Sequence, residues 1–180
     1  MEAGTEAPSK SKPRGKGPTT VAREYFEAIN DRDLDAAAAM WEPGCIDRLV
    51  GMADLRVPGE FKRWFSQLFA AFPDFEFEVL TIAASKENAA VRWRVSATFN
   101  GTAKFEGLVP NGAMIAIEGC DMLTIRDGKI VENHAYLNGT EMARQLGAMP
   151  PAGSVAEKGM VGAVNAKSAV ARGLQRLRDR

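Results

Sequence analysis

The chain has 180 residues, with 23 lysines and arginines balanced by 23 aspartates and glutamates, 46% hydrophobic residues and two cysteines. That length suits one domain with a single core plus tails, and the composition is that of an ordinary soluble globular protein. No apolar run approaches the ~20 residues that span a bilayer. Met1–Glu6 lacks the apolar core of a secretory signal, and Cys45 and Cys120 form no Cys-x-x-Cys or Cys/His cluster. A cytoplasmic protein with two reduced thiols, no metal and no membrane contact is expected.

Residues 1–18, rich in Pro, Gly, Ser and Lys, read as a disordered basic tail, with four basic side chains against two acidic ones. A first helix should begin at Thr19 or Thr20, where Val21, Ala22, Tyr25, Phe26 and Ile29 recur at helical spacing. Asn30–Asp33 breaks it and caps a second helix with Leu34, Ala37, Ala38 and Trp41 on one face. Pro43-Gly44 ends that helix, and residues 45–50 form a short strand. Pro58 opens the strongest helix: Phe61, Trp64, Phe65, Leu68, Phe69 and Phe72 make an apolar stripe that Pro73 stops.

Strands follow. Phe75–Ile82 is mixed, whereas Ala89–Phe99 alternates, with Val91, Trp93, Val95 and Ala97 against Arg92, Arg94, Ser96 and Thr98. Ala113–Ile125 is long and pairs with Ile130–Asn138 through the Asp127-Gly128 turn. Thr140–Leu146 is a short closing helix. Helices first and antiparallel strands afterwards define an α+β domain over residues 19–150, with three N-terminal helices on one face of the sheet. Residues 151–180 are a second basic tail, with a weak helical pattern opened by Ser154-x-x-Glu157. Basic tails on an acidic body suggest nucleic-acid contact, but no recognition module is present, so none is expected.

Strand parity picks out candidate chemistry. On Ala113–Ile125 the odd positions are Ile115, Ile117, Gly119, Asp121, Leu123 and Ile125, which leaves Asp121 as a lone carboxylate on an apolar face. Burial would raise its pKa and make it a usable acid or base; the alternative is a structural carboxylate. The same count places Ile130, Glu132, His134, Tyr136 and Asn138 on one face of the last strand. His134, the one histidine, suits proton transfer near neutrality, and Tyr136 could donate a hydrogen bond to an enolate. Tyr25, Trp41 and Trp93 are candidate pocket-lining aromatics for a small apolar molecule. Gly107–Gly112 reads as a turn, since it lacks the Lys-Ser/Thr of a phosphate loop.

The landmarks Phe99-Asn100-Gly101, Pro110-Asn111-Gly112, Asp127-Gly128-Lys129-Ile130, Asn138 and Gln145-Leu146-Gly147 stand in an order that resembles the SnoaL-like polyketide and ester cyclases. These belong to the ketosteroid isomerase and nuclear transport factor two superfamily. The resemblance covers about residues 20–150. It implies a cone-shaped α+β domain, with the helices on the concave face of a curved antiparallel sheet. It also implies a homodimer and a cofactor-free enzyme acting on a polyketide-like carbonyl by proton abstraction, isomerisation or aldol cyclisation. Two departures matter. His134 stands where relatives keep Trp, and Asn138 where the cyclases keep a catalytic Asp, so the base falls to Asp121 or His134 and Asn138 would orient a carbonyl. The alternatives are a non-catalytic binder with the same pocket, an epoxide-hydrolase-like enzyme using Arg92, Arg94 and Asp121, or a protein that recruits partners through its tails.

Overall fold

The computed structural model describes residues 16–178. The expectation for the N-terminal tail therefore falls largely outside the described residues. In chain order the elements are α1 (Pro18–Asn30), α2 (Leu34–Ala39), β1 (Ile46–Leu49), β2 (Ala53–Arg56), α3 (Gly59–Ala71), β3 (Phe77–Ser85), β4 (Asn88–Thr98), β5 (Met114–Arg126), β6 (Lys129–Leu137), α4 (Gly139–Gln145) and α5 (Val155–Arg178). The α+β class read from the sequence is the observed one. No described helix is long and apolar enough to cross a membrane.

Local chemistry sets the boundaries. Pro18 fills the first turn of α1, where a missing N–H costs nothing. The Asp33 carboxylate accepts the Ala36 N–H at 2.9 Å and starts α2. Asp127 and Gly128 both adopt positive φ, at 48° and 78°, as a two-residue hairpin turn between β5 and β6 requires.

The six strands form one sheet in the order β2-β1-β6-β5-β4-β3. The sheet is mixed, not wholly antiparallel as expected. β1 pairs antiparallel with β2 but runs parallel to β6, with Asp47 opposite Asn133 and Leu49 opposite Ala135. The cause is the hairpin β1–β2, which the chain lays against a strand formed some eighty residues later. Such non-local pairing leaves no local sequence signal.

The chain divides into two compact units. One holds the described residues through Lys62 with Val79–Arg92 and Cys120–Ala135. The other holds Arg63–Glu78, Trp93–Gly119 and the described residues from Tyr136 on. In the first, α1 buries Val21, Ala22, Tyr25, Phe26 and Ile29, and Trp41 lies edge-on to Tyr25. In the second, Phe65, Leu68 and Phe72 are buried, Phe72 stacks on Phe99 at 4.9 Å, and Trp64 is only half-buried against Phe65 and Phe105.

The second unit also shows why the turn and the Gln-Leu-Gly landmark travel together. The Asn111 side chain donates to the Leu146 carbonyl at 3.1 Å. The Gln145 amide brackets Ala116 of β5, accepting its N–H at 2.7 Å and donating to its carbonyl at 3.2 Å. Gly101 closes on the end of α3 so tightly that an added Cβ would sit 2.0 Å from the Ala70 carbonyl oxygen. Gly119 leaves room for the Trp93 ring, which a Cβ would meet at 2.3 Å.

Candidate active site

Three charged or amide side chains are buried among the described residues, Asp47, Asp121 and Asn133, and all three lie in the first unit. Each is placed by its element. β5 alternates as its parity dictates: Ile115, Ile117, Leu123 and Ile125 are buried, and Asp121 joins them at 7% exposure. β1 turns Asp47 and Leu49 inward. β6 carries Asn133 in register with Asp47. The buried face of α1 adds Tyr25.

One amide joins the two carboxyls. Asn133 Nδ2 donates to Asp47 Oδ1 at 2.9 Å and to Asp121 Oδ2 at 2.7 Å, so both amide hydrogens go to carboxyl oxygens. The opposite amide orientation would set its oxygen against both acids. Tyr25 donates its hydroxyl to Asp47 Oδ2 at 3.3 Å, long for an O–H···O bond. Two buried polar atoms of this cluster have no hydrogen-bond partner among the described residues, Trp41 Nε1 and Asn133 Oδ1.

The electrostatics follow from burial and proximity. Asp47 is pushed up to about 7, first by burial and then by the negative charge of Asp121; the bonds from Asn133 and Tyr25 oppose the rise. Tyr25 is held well above its ordinary value of 10, by burial first and then by the charges of Asp47 and Asp121. Near neutrality the cluster therefore holds a neutral phenol and two coupled carboxyls, one of which readily keeps a proton. A group that keeps its proton beside one that gives it up is the arrangement that general acid–base chemistry uses.

The other sequence-derived candidates lie elsewhere. The face assigned to β6 needs correction: its buried positions are Ile130, Asn133 and Ala135, a step of three and then of two. That slip in the period of two turns Asn133 inward and Glu132, His134 and Tyr136 outward. His134 Nε2 meets Glu132 Oε1 at 3.2 Å and lines an open groove of about 560 Å³ with Arg48, Thr124, Arg126 and Cys45. Tyr136 is 48% exposed. Asn138 caps α4, its Oδ1 accepting the Glu141 N–H at 3.1 Å, and is exposed. Trp93 is buried edge-on to Phe77. Arg94 lies on an exposed face, paired with Glu118 at 2.8 Å and Glu78 at 3.4 Å, and Arg92 is exposed. Among the described residues, no group of three or more His, Cys, Asp or Glu is placed to hold a metal ion.

Asp47 and Asn133 are absent from the sequence-derived candidates. In Ile46-Asp47-Arg48-Leu49-Val50 both parities carry apolar residues, so a four-residue strand gives no clear inward face. Asn133 is hidden because the burial of β6 departs from the period of two.

The fold defines the class of this protein, an α+β domain of the nuclear transport factor two-like superfamily. Within it, the chain belongs to the SnoaL-like polyketide cyclase family, whose profile matches residues 19–146. No curated protein matches the chain. Among solved structures it is similar to AclR from Streptomyces galilaeus, described as a candidate hydroxylase, at 26% identity and a TM-score of 0.64, covering 74% of this chain and 97% of that one. It is also similar to IdmH from Streptomyces antibioticus, a candidate polyketide cyclase, at 25% identity and a TM-score of 0.61, covering 72% and 98%. A SnoaL-like polyketide cyclase from Agrobacterium tumefaciens, at 17% identity and a TM-score of 0.57 over 73% and 98%, shares the fold.

Proposed function

We propose that the chain is a cofactor-free enzyme that moves a proton next to the carbonyl of a small apolar, polyketide-like molecule, leading to isomerisation or aldol cyclisation. The observation that carries this reading is the buried Asp47–Asn133–Asp121 bridge with Tyr25 donating into it. Asp121 takes the proton from the carbon beside the carbonyl. Asp47 holds a proton and donates to the enolate oxygen as charge develops there, and Asn133 fixes the separation of the two acids. Tyr25, kept neutral, is a further donor. The proton on Asp121 then returns to a carbon of the same molecule, or the enolate carbon attacks a second carbonyl, closes a ring, and the alkoxide so formed takes up the Asp121 proton.

In this reading the chemistry rests on Asp121 and Asp47 rather than on His134 or Asn138. Names borne by relatives support an enzyme but differ on the reaction, a hydroxylase in one case and a cyclase in another.

Exchange of α-hydrogens for deuterium in small enolisable ketones, followed by NMR in D₂O, tests the reading without the native substrate. Wild-type protein should accelerate exchange, and Asp121→Asn should lower the rate by about 10²–10⁴, the usual contribution of a general base. Binding of such ketones with no exchange would replace the enzyme by a non-catalytic binder. A homodimer belongs to the same proposal. Met114 and Met122 on β5 are 73% and 46% exposed, apolar surface that a second copy would cover. Sedimentation at micromolar concentration should give twice the chain mass; a monomer throughout would exclude this arrangement.

A further inference from the structure

The strands that turn the acid pair inward present a groove of about 560 Å³ on their outward side chains. β1 and β6 run in register, so Asp47 and Asn133 are buried while their successors, the partners Arg48 and His134, turn outward and line this groove. Thr124 and Arg126 enter it from β5, and Ile46 and Val131 give it an apolar wall. The outward positions of β5 pass from Met122 to Thr124 and Arg126, so the groove begins where that strip of exposed apolar surface ends. Every lining residue belongs to the first compact unit.

The two arginines are each held at one atom. Arg48 Nε donates to Asp54 Oδ1 at 3.0 Å, and Arg126 Nε donates to Glu87 Oε2 at 3.3 Å. Their Nη groups make no hydrogen bond among the described residues. Thr124 is loosely engaged as well, its hydroxyl donating to Asn88 Oδ1 at 3.4 Å. The neighbouring carboxylates Asp54, Glu87 and Glu132 are all more than half exposed, so their hold on these cations is weak in water. They orient the guanidinium forks without using them up. β6 lies between β1 and β5, so the two forks approach from either side of the strand that carries His134. A carboxylate has two oxygens and is satisfied by one fork, whereas a phosphate has three charged oxygens to share between two.

We propose that this groove binds a small phosphomonoester, its phosphate held by the Nη groups of Arg48 and Arg126 and its organic part laid against Ile46 and Val131. The site shares no residue with the acid cluster and does not depend on the proton-transfer reading. A bound ester ties β1 to β5 across β6, the three strands whose buried positions hold Asp47, Asn133 and Asp121.

The probe is phenyl phosphate, titrated into the full chain and followed by calorimetry. Arg48→Gln and Arg126→Gln should each weaken binding roughly 10- to 100-fold, the scale of bonds between charged groups. Arg94→Gln removes the same charge from an arginine outside the groove, paired with Glu118 and Glu78. At about 0.15 M ionic strength, where distant charges are screened, it should change affinity by no more than about twofold. Benzoate, with two oxygens, should bind roughly tenfold more weakly than phenyl phosphate. A second measurement uses unaltered protein. Cys45 lines the groove, so its alkylation by iodoacetamide, read by peptide mass spectrometry, should slow several-fold at saturating phenyl phosphate, while Cys120 reacts as before. Wild-type protein that takes up no phenyl phosphate would overturn the proposal, as would an equal loss in Arg94→Gln. Benzoate binding as tightly as the ester would remove the phosphate assignment, and an unprotected Cys45 in saturated protein would place the ligand elsewhere.

Discussion

With its carboxyl pushed up to about 7, Asp47 keeps a proton in the folded chain over a pH range in which an unfolded aspartate, at 3.8, has already lost it. The folded state therefore binds more protons than the unfolded one between about pH 4 and pH 7, and linkage makes stability fall as pH rises through that window. The cost reaches the order of a few kcal/mol once both states are ionised. An asparagine at 47 mimics the protonated acid: its Oδ1 still accepts from Asn133, and its Nδ2 can donate to the Tyr25 oxygen. Asp47→Asn should therefore be more stable than wild type at pH 8 and close to it at pH 5, as measured by denaturant midpoints. Equal loss at both pH values would mean that Asp47 is ionised throughout and that the acid pair is misread. At this scale the sequence was partly legible. Asp121 stands out because a 13-residue strand gives its parity many apolar witnesses. Asp47 has one inward companion, Leu49, and Asn133 lies beyond a slip in the period of two that the sequence does not reveal.

Among the elements, α1, α3, β4, β5 and β6 fall close to the spans read from the sequence, because each carries enough repeats of its period to outvote exceptions. β2 was not foreseen, and the parallel placement of β1 was not either, since pairing across some eighty residues is decided by what the rest of the sheet offers. The aromatic stripe of α3 is core with one correction. Phe65, Leu68 and Phe72 are buried, but Trp64 is only half-buried, resting on Phe65 and Phe105. The heaviest truncation cost on this helix falls on Phe72, which is fully buried between Phe99 at 4.9 Å and Phe105 at 5.3 Å. Phe72→Ala should cost about 3–5 kcal/mol and Trp64→Ala clearly less. Chemical denaturation of the two variants side by side measures the difference. The reverse order would mean that α3 is rotated about its axis relative to this arrangement.

At the scale of the whole molecule, the family match ends at residue 146, whereas the chain continues into α5, a helix of 24 residues. Its first turn is tied down. Ser154 accepts the Glu157 N–H at 3.1 Å, and Glu157 accepts from the Gly153 N–H at 2.6 Å and from Arg144 of α4 at 2.5 Å. These contacts, the Gly153 N–H first and then Arg144, hold the Glu157 carboxyl below its ordinary range. Past that turn the apolar side chains Val161, Val164, Val170 and Leu174 are exposed, so the helix contributes little burial to hold the fold together. Gly159, Gly162 and Gly173 lower its intrinsic helicity further. Stability should accordingly reside in what precedes it. A chain ending at Met160 keeps the Arg144–Glu157 contact and should unfold within about 2 °C of the full-length midpoint, since removing groups that bury no surface changes stability by little. Replacing Glu157 in the full chain, which frees Arg144 and the Gly153 N–H together, should lower the midpoint by more than the truncation does. A drop of several degrees on truncation alone would show that the exposed face of α5 is covered in solution, and would assign it a structural partner within the assembly.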